Sequence, residues 1–184
     1  MNSREKSLPT YRTINDLAAA LCDASLDFNE IIRSIDLPIS DLEEYCSWSK
    51  ESYTRNCIID CQCFELILLC WENGQMTPIH DHGGEECWVR VVQGNFEETI
   101  YQTNESGELN KVRSTLSKAG DISYMKDFMG FHRLHNLDDS RSMSLHLYAK
   151  PIRNCQLYDE ELEEFVKTDL VYDTVSEDAT LINL

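Results

Sequence analysis

Apolar residues recur at helical spacing near the start of the chain. Between Thr13 and Asp23 they repeat every three or four positions behind Thr13, a residue type that commonly caps helix N-termini. The stretch from Phe28 to Ile35 has the same period. This pattern predicts two short amphipathic helices, each with one apolar face to bury against a larger structure.

A third helix is predicted directly after them. Pro38 ends the second periodic stretch, since proline cannot continue a helix. The following sequence, Ser40-Asp-Leu-Glu43, has the form of a capping box, in which serine and glutamate satisfy two backbone amides of a first helical turn. We therefore expect a small N-terminal helical segment over residues 1–50.

From Tyr53 to Tyr148 the pattern becomes that of short strands. Runs rich in β-branched and aromatic residues alternate with turns of Asn, Gly, Asp and Ser at fairly regular intervals. This pattern is typical of a mainly β barrel or sandwich. The predicted strands are Cys63–Trp71, Thr77–His82, Cys87–Val92, Phe96–Gln102, Leu109–Leu116, Asp121–Tyr124, Phe131–Leu137 and Ser142–Ala149.

Length and composition fit one globular domain. The chain has 184 residues, of which 42% are hydrophobic, enough to enclose a single core. We predict one domain over residues 1–184, with a β-barrel core at 53–150 and a C-terminal extension at 151–184. In that extension, the acidic stretch Asp159–Glu164 and the tail from Ser176 are expected at the solvated surface.

The charge of the chain argues against several classes of partner. A net charge of -17 would repel nucleic acid and anionic membranes, and it favours a monomer. The longest apolar run, Leu66–Trp71, is far shorter than the roughly 20 residues that cross a bilayer. No apolar stretch follows Arg4 and Lys6, as a signal peptide would require. We expect a cytoplasmic protein whose eight cysteines are reduced thiols.

His80 and His82 are the first candidates for chemistry. Residues two apart on a strand project to the same face, so both imidazoles can meet one metal ion. The intervening Asp81 would point the other way. A single pair of this kind is a weak signal, because two surface histidines produce the same spacing.

A longer pattern surrounds this pair and resembles the two sequence motifs of cupins. Its positions are Gly74, His80, His82, Cys87 and Gly94, followed much later by His132 and Asn136.

The resemblance implies a cupin-type jelly-roll β-barrel and a metal ion held by His80, His82 and His132. Most cupins have a fourth ligand, a glutamate, at the position of Cys87. The resemblance therefore implies a site of three histidines only. We expect His135 to be a non-ligand, because it lies three residues from His132 and so on the opposite strand face.

Several segments between Tyr53 and Pro151 resemble the cysteine dioxygenase family of small intracellular thiol dioxygenases. The resemblance implies an Fe(II) enzyme that adds both atoms of dioxygen to the sulfur of L-cysteine and forms cysteine sulfinate. The matching segments, in family order, are Tyr53-Thr-Arg-Asn56, Leu69-Cys-Trp71, Ile79-His-Asp-His82, Gln93-Gly-Asn95 with Glu98-Thr99, Phe131-His-Arg-Leu134 and Ser144-Leu-His-Leu-Tyr148.

Arg55 matches the arginine that holds the substrate carboxylate in this family. A guanidinium suits that role, because it offers a planar, permanently charged fork of donors. Relatives that oxidise 3-mercaptopropionate typically lack this arginine, so Arg55 favours L-cysteine. Tyr53 and Trp71 are candidate walls of the substrate pocket, although core packing would explain both equally well.

Ser144, His146 and Tyr148 match the family's Ser-His-Tyr triad. They alternate along one strand, so all three face the same side and can form a hydrogen-bonded row. Cys87 matches a cysteine that some family members link to the triad tyrosine through a thioether bond. The alternative for Cys87 is a buried free thiol.

Two other functions stay open on the sequence alone. One is a dioxygenase for another small thiol, such as 3-mercaptopropionate. The other is a non-catalytic cupin that binds metal and thiol as a sensor. Three imidazoles also suit zinc or copper, which bind such a site more tightly than ferrous iron, so the expectation of Fe(II) rests on the family resemblance.

Overall fold

The computed structural model describes residues 9–177 and residue 179. The first two predicted helices are present as α1, Ile14–Leu21, and α2, Phe28–Arg33. Side-chain oxygens of Thr13 and Asp27 cap them by accepting hydrogen bonds from first-turn amides at 3.1 and 2.6 Å. The predictions made for residues 1–8, and for residues 178 and 180–184 of the tail, lie outside the described residues.

The predicted third helix is wrong. Residues 39–45 form two single 3₁₀ turns, Ile39–Asp41 and Glu43–Tyr45, and neither has a side-chain cap. Pro38 occupies the position before the first turn, so Ser40 lies inside that turn and its hydroxyl donates to the carboxylate of Asp41 at 3.2 Å. A capping box requires the serine at the N-cap itself, so the motif does not form.

The described residues form eleven strands, and seven of the eight predicted strands are among them to within a few residues. The mainly β architecture with N-terminal helices is therefore confirmed. In chain order, β1 to β11 are Thr54–Asp60, Glu65–Trp71, Glu86–Gln93, Asn95–Thr103, Leu109–Lys118, Ile122–Met125, Phe131–Asn136, Ser142–Ala149, Asn154–Asp159, Glu164–Asp169 and Thr174–Val175.

The exception is Thr77–His82, which is not a continuous strand. Met76 and His80 instead form isolated antiparallel bridges to β7. His80 pairs with His132, and Met76 pairs with His135. Pro78 lies between these two bridges and has no amide hydrogen to donate, which interrupts the ladder. The segment still runs alongside β7, and this places its histidines next to His132.

Two sheets enclose the core in a jelly-roll arrangement. The first has the strand order β11-β1-β2-β8-β3-β6, and the second has the order β5-β4-β7. Along β2, Leu66 and Leu68 pack against α1 and α2, whereas Ile67 and Leu69 face the second sheet. The hydrogen-bonded ladders of the described strands leave the barrel open between the two sheets. The space between the sheets is where the candidate site lies.

The β structure continues past the predicted 53–150 core. Strands β9 and β10 form a hairpin, with the acidic stretch Asp159–Glu164 at its largely exposed tip. Strand β11 then pairs in parallel with β1, placing Thr174 opposite Asn56. No helix among the described residues combines the length and apolar character needed to cross a membrane.

Candidate metal centre

His80, His82 and His132 converge on one point between the sheets. The Nε2 atom of His132 lies 3.2 Å from Nε2 of His80 and 3.0 Å from Nε2 of His82. Two backbone hydrogen bonds between His80 and His132, of 3.0 and 2.9 Å, fix the two segments that carry these rings. The three histidines singled out from the sequence are therefore brought together, and their geometry fits a single metal ion.

The spacing of these nitrogens suits ligands on one side of an ion. Two nitrogen ligands that lie about 2.1 Å from an ion and at a right angle to each other are about 3.0 Å apart. The distances from His132 to His80 and His82, 3.2 and 3.0 Å, are close to this value. Ligands grouped on one side leave the other side of an ion open to substrate.

The contacts of Nδ1 in His80 and His132 show why Nε2 of the same two rings is free to bind a cation. His80 Nδ1 lies 3.0 Å from the carbonyl oxygen of Pro78, and His132 Nδ1 lies 2.7 Å from Oε1 of Glu98. Both oxygens accept, so each Nδ1 carries a hydrogen, and Nε2 is the atom of each ring that can offer a lone pair to a metal ion. Burial and the proximity of His132 lower the pKa of His80 to about 3, and the same causes lower the pKa of His82. Facing lone pairs at this distance fit a bound cation.

Glu98 is a site residue that the sequence reasoning did not assign. It lies on β4 between Phe96 and Ile100, and all three side chains are buried. Burial would raise the pKa of Glu98, but the hydrogen bond with His132 and other nearby groups together lower it, so the net pKa is below its ordinary value. The available signal was a carboxylate at an inward position of a strand, where an unpaired charge would be costly.

Arg55 lies on β1, and its positive charge contributes to lowering the pKa of His80, His82 and His146. Its Nε and Nη2 atoms are buried and have no hydrogen-bond partner among the described residues. Burial acts to lower the pKa of Arg55, but Tyr148, Tyr53 and Glu65 raise it, with a net upward shift. The guanidinium is thus a charged donor with unused hydrogen-bonding capacity, as a binding site for an anion requires.

Tyr148 and Cys87 lie directly opposite each other on β8 and β3. Both side chains are buried, and each one acts on the pKa of the other. Burial is the main cause of the raised pKa of each group. The Tyr148 ring also lies 5.6 Å from the ring of His82, centroid to centroid. The phenol therefore stands between Arg55, Cys87 and the histidine cluster.

The predicted hydrogen-bonded row on β8 is only partly formed. Ser144 Oγ and His146 Nε2 are 2.8 Å apart, whereas the rings of His146 and Tyr148 stack with their centroids 6.3 Å apart. His146 Nδ1 has no hydrogen-bond partner within the described part of the chain.

Trp71 contacts Ser144, the first residue of this row. Its indole N–H donates to Ser144 Oγ at 3.0 Å, and its ring stacks on Tyr53 at 4.7 Å. Trp71 is completely buried and contacts Phe96 edge to face at 5.3 Å. The structure thus places Trp71 in the packed floor of the site, whereas Tyr53 is less completely buried and lies near Arg55. His135 lies outside the cluster, opposite Glu97 on β4.

The sequence of this chain is similar to those of known cysteine dioxygenases. The family model for cysteine dioxygenase type I matches residues 4–161. Human cysteine dioxygenase type 1 is 32% identical over 120 residues, which cover 63% of this chain and 60% of the human protein. The zebrafish (Danio rerio) protein of the same name is 30% identical over 126 residues, covering 65% and 62% of the two chains. The match thus spans about three fifths of these relatives' length.

A solved structure supports the fold independently. An uncharacterized conserved protein from Klebsiella pneumoniae with a double-stranded β-helix domain superposes with a TM-score of 0.50. The two are 20% identical, and the superposition covers 70% of this chain and 95% of that one. This likeness confirms the predicted jelly-roll fold.

The position of Glu98 leads to a prediction for metal affinity. Glu98→Gln removes the negative charge that orients the His132 ring, so we expect metal binding to weaken by about 10-fold to 100-fold. Anaerobic competition for Fe²⁺ with a chromophoric chelator measures this change. Glu97→Gln is the matched control, because Glu97 lies 3.9 Å from the surface residue Lys111 on the other face of β4. Equal affinities for the two variants would exclude Glu98 from this role.

Proposed function

We propose that this chain, which belongs to the cysteine dioxygenase type I family, is an iron-dependent dioxygenase that oxidises L-cysteine to cysteine sulfinate. The observation that carries this proposal is the meeting of two features in one buried space. Three imidazole nitrogens fit a metal ion, and the buried guanidinium of Arg55 offers unused donors beside them. Together they suit a small substrate with a thiolate at one end and a carboxylate at the other.

Neutral ligands matter for the choice of substrate. Because His80, His82 and His132 add no negative charge, a divalent ion held by them keeps its full charge and favours an anionic sulfur. When bound, ferrous iron supplies neighbouring coordination positions at which thiolate and dioxygen meet. Iron is proposed on the family membership together with this donor set.

The chain's own residues bind and orient the substrate in this proposal. Arg55 donates to the carboxylate through Nε and Nη2, while Tyr53 and Trp71 close the pocket beside it. The Tyr148 hydroxyl is close enough to Arg55 to raise its pKa and so would lie next to the bound carboxylate. His146 packs against the Tyr148 ring and limits its motion, and Ser144 fixes His146 in turn.

Two alternatives make different predictions about the same protein. A dioxygenase for 3-mercaptopropionate has no need of an amine ligand, but it shares the thiol and the carboxylate. A non-catalytic sensor would bind metal and thiol without consuming oxygen. Arg55 favours L-cysteine over 3-mercaptopropionate as the substrate within this family.

We further propose a cytoplasmic monomer formed by one domain over residues 1–184, in keeping with eight free thiols.

Oxygen uptake tests the proposed activity directly. Iron-loaded, reduced protein supplied with L-cysteine in air should consume dioxygen and form cysteine sulfinate in a one-to-one ratio. An oxygen electrode combined with mass spectrometry of the product measures both quantities. Thiol binding without oxygen uptake would favour the sensor, and faster turnover of 3-mercaptopropionate would favour the other dioxygenase.

Arg55→Ala tests the carboxylate site. Loss of a charge-assisted, bidentate contact should raise the KM for L-cysteine by at least about tenfold and leave kcat less affected. Steady-state kinetics with L-cysteine and 3-mercaptopropionate measure the change. Arg33→Ala, at an exposed position in α2, is the control and should leave both parameters unchanged. An unchanged KM and an unchanged preference between the two thiols would remove Arg55 from substrate binding.

The thioether bond that the family resemblance implies would join Cys87 and Tyr148, and we propose it because the two residues face each other across β3 and β8. The bond would join Cys87 Sγ to the ring carbon next to the Tyr148 hydroxyl, with two hydrogens lost to dioxygen as oxidant. We expect iron-loaded protein incubated with L-cysteine in air to lose the mass of two hydrogen atoms and to yield one crosslinked peptide. Cys87→Ser should abolish both changes, and Cys155→Ser, at another buried thiol, should not. Persistence of two separate peptides in the wild type would leave Cys87 as a free thiol.

A further inference from the structure

Glu65 is a buried carboxylate that the proposed reaction does not use. Its side chain is completely inaccessible to solvent, at the start of β2. It forms one row across the inner face of the sheet with Tyr148 on β8 and Cys87 on β3. A buried carboxylate is costly unless it is hydrogen-bonded, so its partners indicate what it does.

The partners of Glu65 come from the C-terminal part of the chain. The Tyr172 hydroxyl donates to Oε2, and the Ile152 amide donates to Oε1 at 3.1 Å. Arg153 approaches Oε2 at 3.5 Å and also donates to the Tyr172 oxygen at 2.7 Å and to Asp60 at 2.6 Å. Burial raises the pKa of Glu65, and these donors act against that shift. Glu65 is thus the inner end of a polar network that reaches the surface at Arg153.

Tyr172 belongs to a segment that lies along the Arg55 strand. We call residues 170–176 the strap. Asp173 binds both backbone groups of Arg55: its Oδ2 accepts from the Arg55 amide at 2.7 Å, and its own amide donates to the Arg55 carbonyl at 2.8 Å. Thr174 Oγ1 donates to the Asn56 side chain at 2.8 Å. Without the strap, β1 would be the edge strand of its sheet, so the strap fixes the backbone from which the guanidinium extends.

We propose that Glu65 and Tyr172 are positioning residues for the substrate carboxylate site: their buried hydrogen bond anchors the strap, and the strap holds Arg55 in place beside Tyr148. Glu65 also provides the negative charge that partly compensates the buried Arg55 when no anion is bound. Only the identity of the bound anion rests on the proposed function. Neither residue touches the substrate in this account.

The first test uses the protein without metal or substrate. Tyr172→Phe removes only the hydroxyl, and Glu65→Gln removes only the charge of the carboxyl group. In both variants we expect amide hydrogen exchange at Arg55 and in the strap to accelerate about fivefold or more, with exchange in α1 unchanged. Tyr101→Phe, on β4 outside the strap, should match the wild type. The double variant should show less than the summed effect, because one hydrogen bond is lost only once.

The second test separates positioning from general stability. In iron-loaded Tyr172→Phe we expect the KM for L-cysteine to rise about fivefold. The inhibition constant of cysteamine, a thiol and amine without a carboxylate, should stay constant, as should kcat. Unchanged exchange in the strap, or an equal rise for L-cysteine and cysteamine, would overturn the inference.

The two proposals fail in different ways. If Arg55→Ala leaves the KM for L-cysteine unchanged, the substrate assignment fails, and the exchange measurement still decides whether Glu65 anchors the strap. If Arg55→Ala raises that KM and Tyr172→Phe does not, the proposed function stands and the positioning role is excluded.

Discussion

The site depends on holding three imidazole nitrogens close to one another in a buried space between the sheets. Lone pairs 3.0 to 3.2 Å apart repel, and protonation of the rings is disfavoured because burial lowers the pKa of His80 and His82. The backbone bridge between His80 and His132 holds the two segments together. A cation that binds only this folded arrangement would stabilise it, which couples metal binding to stability.

Strand alternation is what allows such a polar site to exist inside a small core. On β8, Leu145 and Leu147 face the helices, while Ser144, His146 and Tyr148 face the second sheet. The helices thus cover the apolar face of the first sheet, and its other face is left for chemistry. Each buried polar group on that inner face needs a hydrogen-bond partner. Many of these partners lie on other strands, so the need for them helps to fix the register of Ser144, His146 and Tyr148 against the neighbouring strands.

The sequence was informative where the chemistry is local and less so where it depends on pairing between distant segments. His80 and His82 share a face because of their spacing, and the strand pattern predicted most of the sheets. Nothing local linked His132 to them, and that link came from resemblance to a family. Glu98 was missed because its role depends on which residue of β7 faces β4. Ser40 failed as a helix cap because Pro38 already occupied the N-cap position.

The charge of the site is opposite in sign to the net charge of the chain. The chain carries a net charge of -17, yet Arg55 and a divalent ion would make the space between the sheets locally positive. Long-range repulsion of an anionic substrate is screened within about 10 Å in ordinary salt, so the acidic surface and the buried site act nearly independently. The two buried glutamates follow the same division: Glu98 contacts the Nδ1 side of His132, and the charge of Glu65 acts on Arg55. Each supplies negative charge without occupying the metal-facing nitrogen of His132 or the unused donors of Arg55, so the site can hold two positive charges, Arg55 and a metal ion, close together and still bind an anion.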